Sequence, residues 1–278
     1  MNKILSFIFL LFFFSCEKQQ PIQLPDTAPI LVANCFAKAG DTWRIYLSSS
    51  APTDEFTGQF EAIEDAVVSI FDGSSEILLD HTQDGIYESN APLAADKTYQ
   101  LKVTHPNYPT LSSDLIVPAQ PSAANIKFTI NQDTDSTLEF ELDDVPNIDN
   151  QYFIEAKAIY ITPDGWESSQ FIYFNEDTPL VDFSIIDGSK SRLFFNDQIF
   201  QGGNIEFKFD TNIDNYTDII FTIAHVDENF YRYNQSVDRQ SNNTENPFAE
   251  PSPIHSNING GLGIFAAYHS VTDTISIE

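Results

Sequence analysis

Cysteine is scarce in this chain of 278 residues, which contains only Cys16 and Cys35. Two cysteines cannot build the disulfide framework of a small secreted domain, and a chain of this length needs none, because it can bury a substantial hydrophobic core. Cys35 lies in an apolar run, residues 30–36, that has the composition of a β-strand. We therefore predict that Cys35 is buried as a small hydrophobic residue rather than exposed as a reactive thiol.

Positive charge is also scarce, since 13 Lys and Arg residues stand against 41 Asp and Glu residues and the formal net charge is -28. Such a surface repels phosphate backbones and anionic lipid headgroups, which argues against nucleic-acid binding and against a polybasic membrane contact. An acidic surface can attract cationic ligands, but keeping an exported protein in solution is the simpler account of the charge. The 24 Phe and 11 Tyr residues indicate a folded chain rather than a disordered one.

Catalytic and metal-binding motifs with a recognisable spacing are absent. The chain has no Gly-x-Ser-x-Gly elbow, no phosphate-binding glycine loop and no Cys-x-x-Cys pair. No two of its five histidines have the spacing of a helical metal pair. These histidines are His81, His105, His225, His255 and His269. We therefore predict a protein that is not an enzyme, with no catalytic residue, no metal ligand and no cofactor.

One acidic segment, residues 210–214, has the Asp-x-Asn-x-Asp opening of a calcium-binding loop. An EF-hand also requires glycine at its sixth position and glutamate at its twelfth, because calcium needs six to eight oxygen ligands. Asn215 and Phe221 occupy those two positions. We interpret the segment as a solvated loop between strands.

The N-terminus has the three parts of a secretory signal, which we assign to residues 1–15. A short positive start is followed by an apolar run, residues 4–14, that only Ser6 interrupts, and the small residue Ser15 closes it. The run is shorter than the roughly 20 residues that cross a bilayer as a helix, so a permanent transmembrane anchor is not expected.

Cys16 occupies the position of the lipid-bearing cysteine of a bacterial lipoprotein, directly after Ser15. The preceding Phe13 and Phe14 depart from the usual residues of that motif. We predict acylation of Cys16, which anchors the protein stably because several acyl chains insert together. The alternative is an ordinary signal peptide that happens to be cleaved near a cysteine.

The mature chain divides by composition into a tether and two folded units. Residues 16–27 are mostly polar, hold two prolines and have the character of a linker. Residues 28–117 carry short strand patterns separated by turns, as in an immunoglobulin-like β-sandwich. Proline and small residues at 118–124 indicate a boundary, and residues 125–278 form a second, larger β-rich unit. The predicted fold class is therefore all-β: two sandwiches, the second with one amphipathic helix.

The strand assignments depend on alternation between apolar and polar residues. Tyr99, Leu101 and Val103 alternate with polar residues, and so does the segment 138–142. Residues 72–75, Asp-Gly-Ser-Ser, separate two apolar runs and predict a hairpin loop.

The helix is predicted by an apolar stripe at helical spacing, formed by Val226, Phe230, Tyr233 and Val237. We expect the stripe to pack against the sheet, with Asp227 and other charged residues on the exposed surface of the helix.

Three segments near the C-terminus are unusual in composition: residues 246–251 with two prolines, residues 256–258, and the glycine-rich residues 260–265. Glycines there permit a positive φ or a close crossing of backbones just before an apolar strand. With the aromatic helix at 230–233 and the opening at Cys16, they resemble the Bacteroidota lipoproteins grouped as domain-of-unknown-function family 4249 (DUF4249). Residues 63–68 and 84–87 are similar to the immunoglobulin-like N-terminal half of that family.

The resemblance implies a lipoprotein of the outer membrane, typically found alongside a TonB-dependent transporter, and it implies no catalytic residue. Our leading hypothesis is a lipid-anchored binding protein that captures an unknown ligand for such a transporter or docks onto it. The alternatives are a structural or adhesive envelope lipoprotein and, more remotely, a hydrolase that uses converged carboxylates. Cys16 is the only site residue assigned, and which face of the membrane carries the protein is left open.

Overall fold

A computed structural model describes the chain from residue 28 to residue 277, with gaps. The described residues are 28–51, 58–130, 135–146, 148–173, 181–187, 190–200, 202–212, 216–244, 250 and 252–277. The predicted signal peptide, Cys16 and the rest of the tether lie outside them, as does most of the segment 246–251. No helix within these ranges has the length and apolar character needed to cross a membrane.

The N-terminal unit is a β-sandwich of seven strands. They are β1 (Leu31–Lys38), β2 (Thr42–Ser49), β3 (Val67–Phe71), β4 (Glu76–Gln83), β5 (Ile86–Pro92), β6 (Lys97–His105) and β7 (Tyr108–Val117). The hairpin predicted at 72–75 is confirmed, because β3 and β4 pair in antiparallel fashion across it. Asp72 closes this turn: its Oδ1 accepts hydrogen bonds from the backbone N–H groups of Ser74 and Ser75 at 2.9 and 2.8 Å.

Alternation of side chains builds the core of this sandwich. Tyr99, Leu101 and Val103 are all buried, as their period-2 pattern predicts. Trp43 lies at the centre, in edge contact with Tyr99 at 4.9 Å between ring centroids. Cys35 is buried in the same core, which confirms its prediction, and burial raises the pKa of its thiol to about 12. The thiol is therefore neutral and unreactive at physiological pH.

The C-terminal unit has three layers. Its strands are β8 (Ser122–Ile130), β9 (Asp135–Asp144), β10 (Gln151–Ile161), β11 (Glu167–Phe171), β12 (Phe183–Asp187), β13 (Lys190–Asn196), β14 (Gly203–Asn212), β15 (Asp218–Val226) and β16 (Leu262–Ser276), and its helix is α1 (Glu228–Thr244). The sheet β14-β9-β8 packs on one face of the central sheet through aromatic rings: Phe140 lies 5.0 Å from Phe221, and Phe207 lies 4.9 Å from Phe195, between ring centroids. Helix α1 covers the other face.

Helix α1 packs on the sheet through aromatic side chains, as predicted. Phe230 is buried and contacts Phe153 and Tyr268 of the sheet at 5.9 and 5.4 Å between ring centroids. The prediction is wrong for Val226, which ends β15, because the strand continues to this residue and α1 begins only at Glu228.

Strand β16 joins the two units into one sheet of 13 strands. Its first half runs parallel to β1, with Gly263 opposite Ala33, and its second half runs antiparallel to β15. The fold class is confirmed as all-β with sandwich layers and one amphipathic helix. The division at 118–124 stays a prediction; β8 begins at Ser122 within this segment, and β16 carries the end of the chain back to the first sandwich.

Candidate functional site

A cleft of about 960 Å³ lies where the two units meet, and we call it the junction cleft. The outer faces of β6 and β7 form one wall, and the connection between β9 and β10 forms the second. The end of β15 and the first turn of α1 form the third. The principal lining residues are Asp96, Gln100, Asp114, Ile116, Val145, Ile148, Asp149, Asn150, Gln198, His225, Glu228 and Arg232.

Large apolar side chains are exposed at the rim of the junction cleft. Ile116, Val145 and Ile148 are each more than half exposed although they are branched aliphatic residues. Single exposed apolar residues are common on protein surfaces, but several that line one concavity are typical of a binding site. The rim can therefore cover the apolar part of a ligand.

The charge inside the junction cleft is negative. Asp96, Asp114 and Asp149 contribute carboxylates from three different segments, and Glu228 adds a fourth from α1. The one arginine of the lining, Arg232, is already paired with Glu228 one helical turn away. The cleft therefore favours neutral polar or cationic ligands over anions.

A buried polar network supports the second wall. The hydroxyl of Tyr152 donates a hydrogen bond of 2.6 Å to Asp144 Oδ1, and Asn150 Nδ2 donates to the same oxygen at 3.0 Å. The backbone N–H of Asn150 donates to Asp197 Oδ2 at 2.8 Å. Asn150 Nδ2 also donates to the backbone carbonyl of Ile148 at 3.1 Å. These three hydrogen bonds hold Asn150 in one position in the wall. A ligand meets a preformed surface here rather than a mobile loop.

Burial controls the protonation of this network. It raises the pKa of Asp197, with the neighbouring Asp144 and Asp149 acting in the same direction. Burial also raises the pKa of Tyr152, whose ring lies 5.1 Å from that of His225. The pKa of His225 is lowered by burial, so its imidazole is neutral at pH 7. Burial therefore disfavours the charged form of each of these three side chains.

Asp227 links the third wall of the cleft to β16, the strand that pairs with both β1 and β15 and forms the joint between the two units. Its Oδ1 accepts from the backbone N–H of Phe230 at 2.7 Å, which caps α1, and its Oδ2 accepts from Ala267 of β16 at 2.6 Å. Burial raises the pKa of Asp227 to about 7. The sequence-based placement of Asp227 on the exposed surface of the helix is wrong, because the residue precedes the helix and its carboxylate points back to the N-terminal N–H groups.

Replacing Asp227 tests this linkage. Asp227→Ala leaves two N–H groups without acceptors and is expected to lower the free energy of unfolding by about 2–4 kcal/mol. Asp227→Asn keeps one acceptor and removes the titration. Because the folded pKa lies above the ordinary value of 3.8, the carboxyl stabilises the fold below about pH 4 and loses this contribution as the pH rises through 7.

Urea unfolding of the wild type and of Asp227→Asn at pH 4.5 and 7.5 measures the effect. The difference in free energy of unfolding between the two proteins should shift in favour of Asp227→Asn at the higher pH, since the other carboxylates are common to both. An equal difference at the two pH values would contradict the raised pKa.

The sequence predicts no catalytic or metal-binding residue, and Cys16, its one assigned site residue, lies outside the described residues. His225 and His269 are cross-strand partners on β15 and β16 although they are far apart in sequence. Within the described residues, no group of three or more His, Cys, Asp or Glu side chains could hold a metal ion. Asp210 lies at the end of β14, and residues 213–215 of the calcium-like segment are outside the described part. The absence of catalytic residues and metal stays a prediction.

Sequence reasoning missed the junction cleft because its walls come from four separate segments. Only Asp227 carried a local signal, since aspartate directly before an apolar helical pattern is a favoured N-cap residue. Asn150 and Ile148 carry no such signal, because their role depends on contacts with distant strands.

A second exposed feature is the tip of the β10–β11 hairpin, where the Trp166 side chain is 75% exposed. Thr162 holds this turn: its backbone N–H donates to the carbonyl of Trp166 at 2.8 Å, and its Oγ1 accepts from the Trp166 N–H at 3.1 Å. Asp164 and Glu167 flank the ring in sequence and are exposed. Because tryptophan is highly buried on average and is enriched among the residues that dominate protein interfaces, this ordered tip is a candidate contact surface.

Solved structures resemble this chain only distantly. A Bacteroides uniformis protein to which carbohydrate binding is ascribed is 12% identical, with 70% of this chain and 88% of that chain covered and a TM-score of 0.21. Salmonella alpha-2-macroglobulin is 11% identical over 73% of this chain and 14% of that chain, with a TM-score of 0.23. The collagen adhesin of S. aureus is 8% identical over 88% and 94%, with a TM-score of 0.23. Proteins this dissimilar give no basis for assigning a ligand to this chain. No curated protein matches the sequence.

The family comparison covers nearly all of the chain. The profile of the family described as a domain of unknown function, DUF4249, matches residues 17–274. This span begins directly after Cys16 and contains every wall of the junction cleft, the Trp166 tip and the strand that joins the two units. The family resemblance carried by the C-terminal segments is thereby confirmed, and the chain belongs to the DUF4249 family.

Proposed function

We propose that this protein is a lipid-anchored binding protein of the outer membrane that captures a ligand in the junction cleft and works with a TonB-dependent transporter. The observation that carries the proposal is the cleft itself. Its lining combines exposed apolar side chains with acidic ones, and the wall at Asn150 is fixed by buried hydrogen bonds. Preformed concavities with this mixture of groups are the usual form of a ligand site.

The joint between the units supports capture rather than mere contact. Strand β16 belongs to the sheets of both units, so the walls of the cleft are connected by continuous backbone hydrogen bonds. A cleft held open in this way loses little conformational entropy when a ligand enters, which favours affinity.

The proposed lipid anchor limits how far the folded units can lie from the membrane. If Cys16 is acylated, the residues from 16 to 27 form the only covalent link between the lipid and the first strand. A fully extended segment of this length reaches at most roughly 40 Å. The cleft and the Trp166 tip would therefore stay close to the membrane that holds a transporter.

We assign the contact with the transporter to the Trp166 tip. Trp166→Ala is expected to reduce co-purification of a TonB-dependent β-barrel by about 10- to 30-fold, because a central tryptophan commonly contributes 2 kcal/mol or more to an interface and 1.4 kcal/mol is tenfold in affinity. The tagged, native protein is purified from detergent-solubilised membranes, and recovered barrels are quantified by mass spectrometry.

The matched control is Ile254→Ala, which removes another exposed, large apolar side chain at a distant position. This variant should recover the barrel as the wild type does. Recovery of no barrel by the wild type would overturn the proposed association, and equal recovery by Trp166→Ala would overturn the assigned contact. Unchanged nutrient uptake with altered surface attachment after deletion of the gene would support the structural or adhesive alternative.

A further inference from the structure

In the N-terminal sandwich, the outer face of the sheet formed by β4, β3, β6 and β7 carries a row of four side chains, one on each strand. Glu76 of β4 is the cross-strand partner of Phe71 of β3, Phe71 is the partner of Gln100 of β6, and Gln100 is the partner of Asp114 of β7. Since neighbouring strands are about 4.8 Å apart, the row extends over roughly 14 Å. It presents, in order, a carboxylate, an aromatic ring, an amide and a carboxylate.

A second row lies beside the first and closes a groove. Ser69, Lys102 and Ser112 are consecutive cross-strand partners, and Asn259 extends this row beyond β7. The backbone groups of Ser112 and Asn259 exchange hydrogen bonds of 3.1 and 2.8 Å, which attach the segment before β16 to the edge of the sheet. The two rows line a groove of about 400 Å³.

The polar side chains of this groove are available to a ligand. In the part of the chain that the structure describes, Glu76, Gln100, Lys102 and Asp114 make no side-chain hydrogen bond or ion pair with another residue. They surround the ring of Phe71, which is 41% exposed. The flat apolar surface of this ring is thus bordered by unpaired hydrogen-bond donors and unpaired hydrogen-bond acceptors.

This combination selects a class of ligand. An anion would meet Glu76 and Asp114 and a chain of net charge -28, and a purely apolar ligand would leave the polar groups without partners. A bound metal ion is disfavoured, because the described residues hold no cluster of three ligands. A neutral sugar chain satisfies both surfaces, since its C–H faces pack on an aromatic ring and its hydroxyl groups donate and accept hydrogen bonds.

The groove continues into the junction cleft, because Gln100 and Asp114 line both. We propose that the ligand of this protein is a neutral oligosaccharide that lies across Phe71 and enters the junction cleft at Asp114. The inference rests on the proposed capture of a ligand in that cleft. The length of the row favours a chain of several sugar units over a monosaccharide.

Binding of neutral glycans by the full-length mature protein in detergent tests the inference. The probes are a glycan array of neutral α- and β-linked oligosaccharides, followed by affinity electrophoresis in starch, laminarin, mannan and xylan, with polygalacturonate as the anionic comparison. We expect binding to at least one neutral polymer and none to polygalacturonate. Phe71→Ala should weaken the affinity at least tenfold, and Gln100→Ala should also weaken it.

The matched control is Val67→Ala, on the same strand and the same face as Phe71 but outside the groove. It should bind as the wild type does. Absence of binding to every neutral glycan, or equal affinity of the wild type, Phe71→Ala and Gln100→Ala, would overturn the inference. Recovery of a transporter in the same preparations separates the two ideas: a transporter without glycan binding refutes the ligand class alone, and glycan binding without a transporter refutes the association alone.

Discussion

The Gly263→Ala variant is expected to be less stable than the wild type by about 3–5 kcal/mol, because Gly263, near the start of β16, lies too close to the backbone of β1 for a side chain. A Cβ atom at this position would lie 2.0 Å from the carbonyl oxygen of Ala33 and 2.7 Å from its carbonyl carbon. The φ of +117° adds backbone strain for any residue other than glycine. Both atoms belong to the backbone of a paired strand, so relief requires the two strands to separate.

Thermal and urea unfolding of the two proteins measure this cost. For a chain of this size the expected loss corresponds to a fall in Tm of roughly 10 °C. The matched control is Gly203→Ala, where φ is +104° but no atom lies within 4 Å of the added Cβ. This control isolates the backbone strain, about 1–2 kcal/mol, from the steric clash. Equal losses for the two variants would show that the close approach of β16 to β1 contributes nothing.

The same variant connects stability to the cleft. Separation of β16 from β1 would loosen the joint that holds the walls of the junction cleft in place, and Ala267 of β16 would withdraw its N–H from Asp227. Ligand affinity should therefore fall together with stability in Gly263→Ala. A variant of the cleft that touches no joint residue, such as Ile148→Ala, provides the comparison, because it should change affinity while leaving the Tm nearly unaltered.

The parts of the fold that could be predicted from sequence are those that local side-chain patterns determine. Leu101 and Val103 alternate with polar residues because a half-buried strand exposes every second position, and both are buried. The turn at 72–75 follows from the capping carboxylate of Asp72. Phe230 and Tyr233 mark a helix because their spacing places them on one face.

The glycine-rich segment that leads into β16 could be predicted only in part. A positive φ or a close crossing of backbones was predicted there. Gly260 and Gly263 show both, since each has a positive φ and lies close to a backbone carbonyl oxygen, that of Thr110 and that of Ala33 respectively. The partner strand could not be predicted, because nothing in the residues of β16 specifies parallel pairing with a strand more than two hundred residues earlier in the chain. Long-range pairing is set by the packing of both sandwiches together.

The candidate site was beyond prediction for the same reason. Phe71, Gln100 and Asp114 become one row only through the registers of two strand pairs, and each residue alone has the character of an ordinary surface position. Asn150 is informative only once its bonds to Asp144 and Asp197 are known. Binding groups that are contributed one at a time by different strands leave no motif in the sequence.

The Cys16→Ser variant is expected to leave the membrane fraction and to appear in the soluble fraction. Each buried methylene of an acyl chain contributes about 0.8 kcal/mol, so two or more chains hold a protein stably at the bilayer, whereas a serine cannot be acylated in this way. An acidic body of net charge -28 has no electrostatic attraction to anionic lipid that could replace them. Fractionation and detergent phase partition measure the redistribution.

Cys35→Ala is the control for this experiment, because it removes the other cysteine, which is buried in the first sandwich, and leaves the predicted lipid site intact. It should remain in the membrane fraction with the mass of an acylated chain, at a modest cost in stability. Persistence of Cys16→Ser in membranes, or an intact mass that corresponds to a free thiol at residue 16 of the native protein, would contradict the lipid anchor. In that event ligand binding in the junction cleft and in the groove at Phe71 would still be testable on the released protein, but the transporter would have to be reached without a tether.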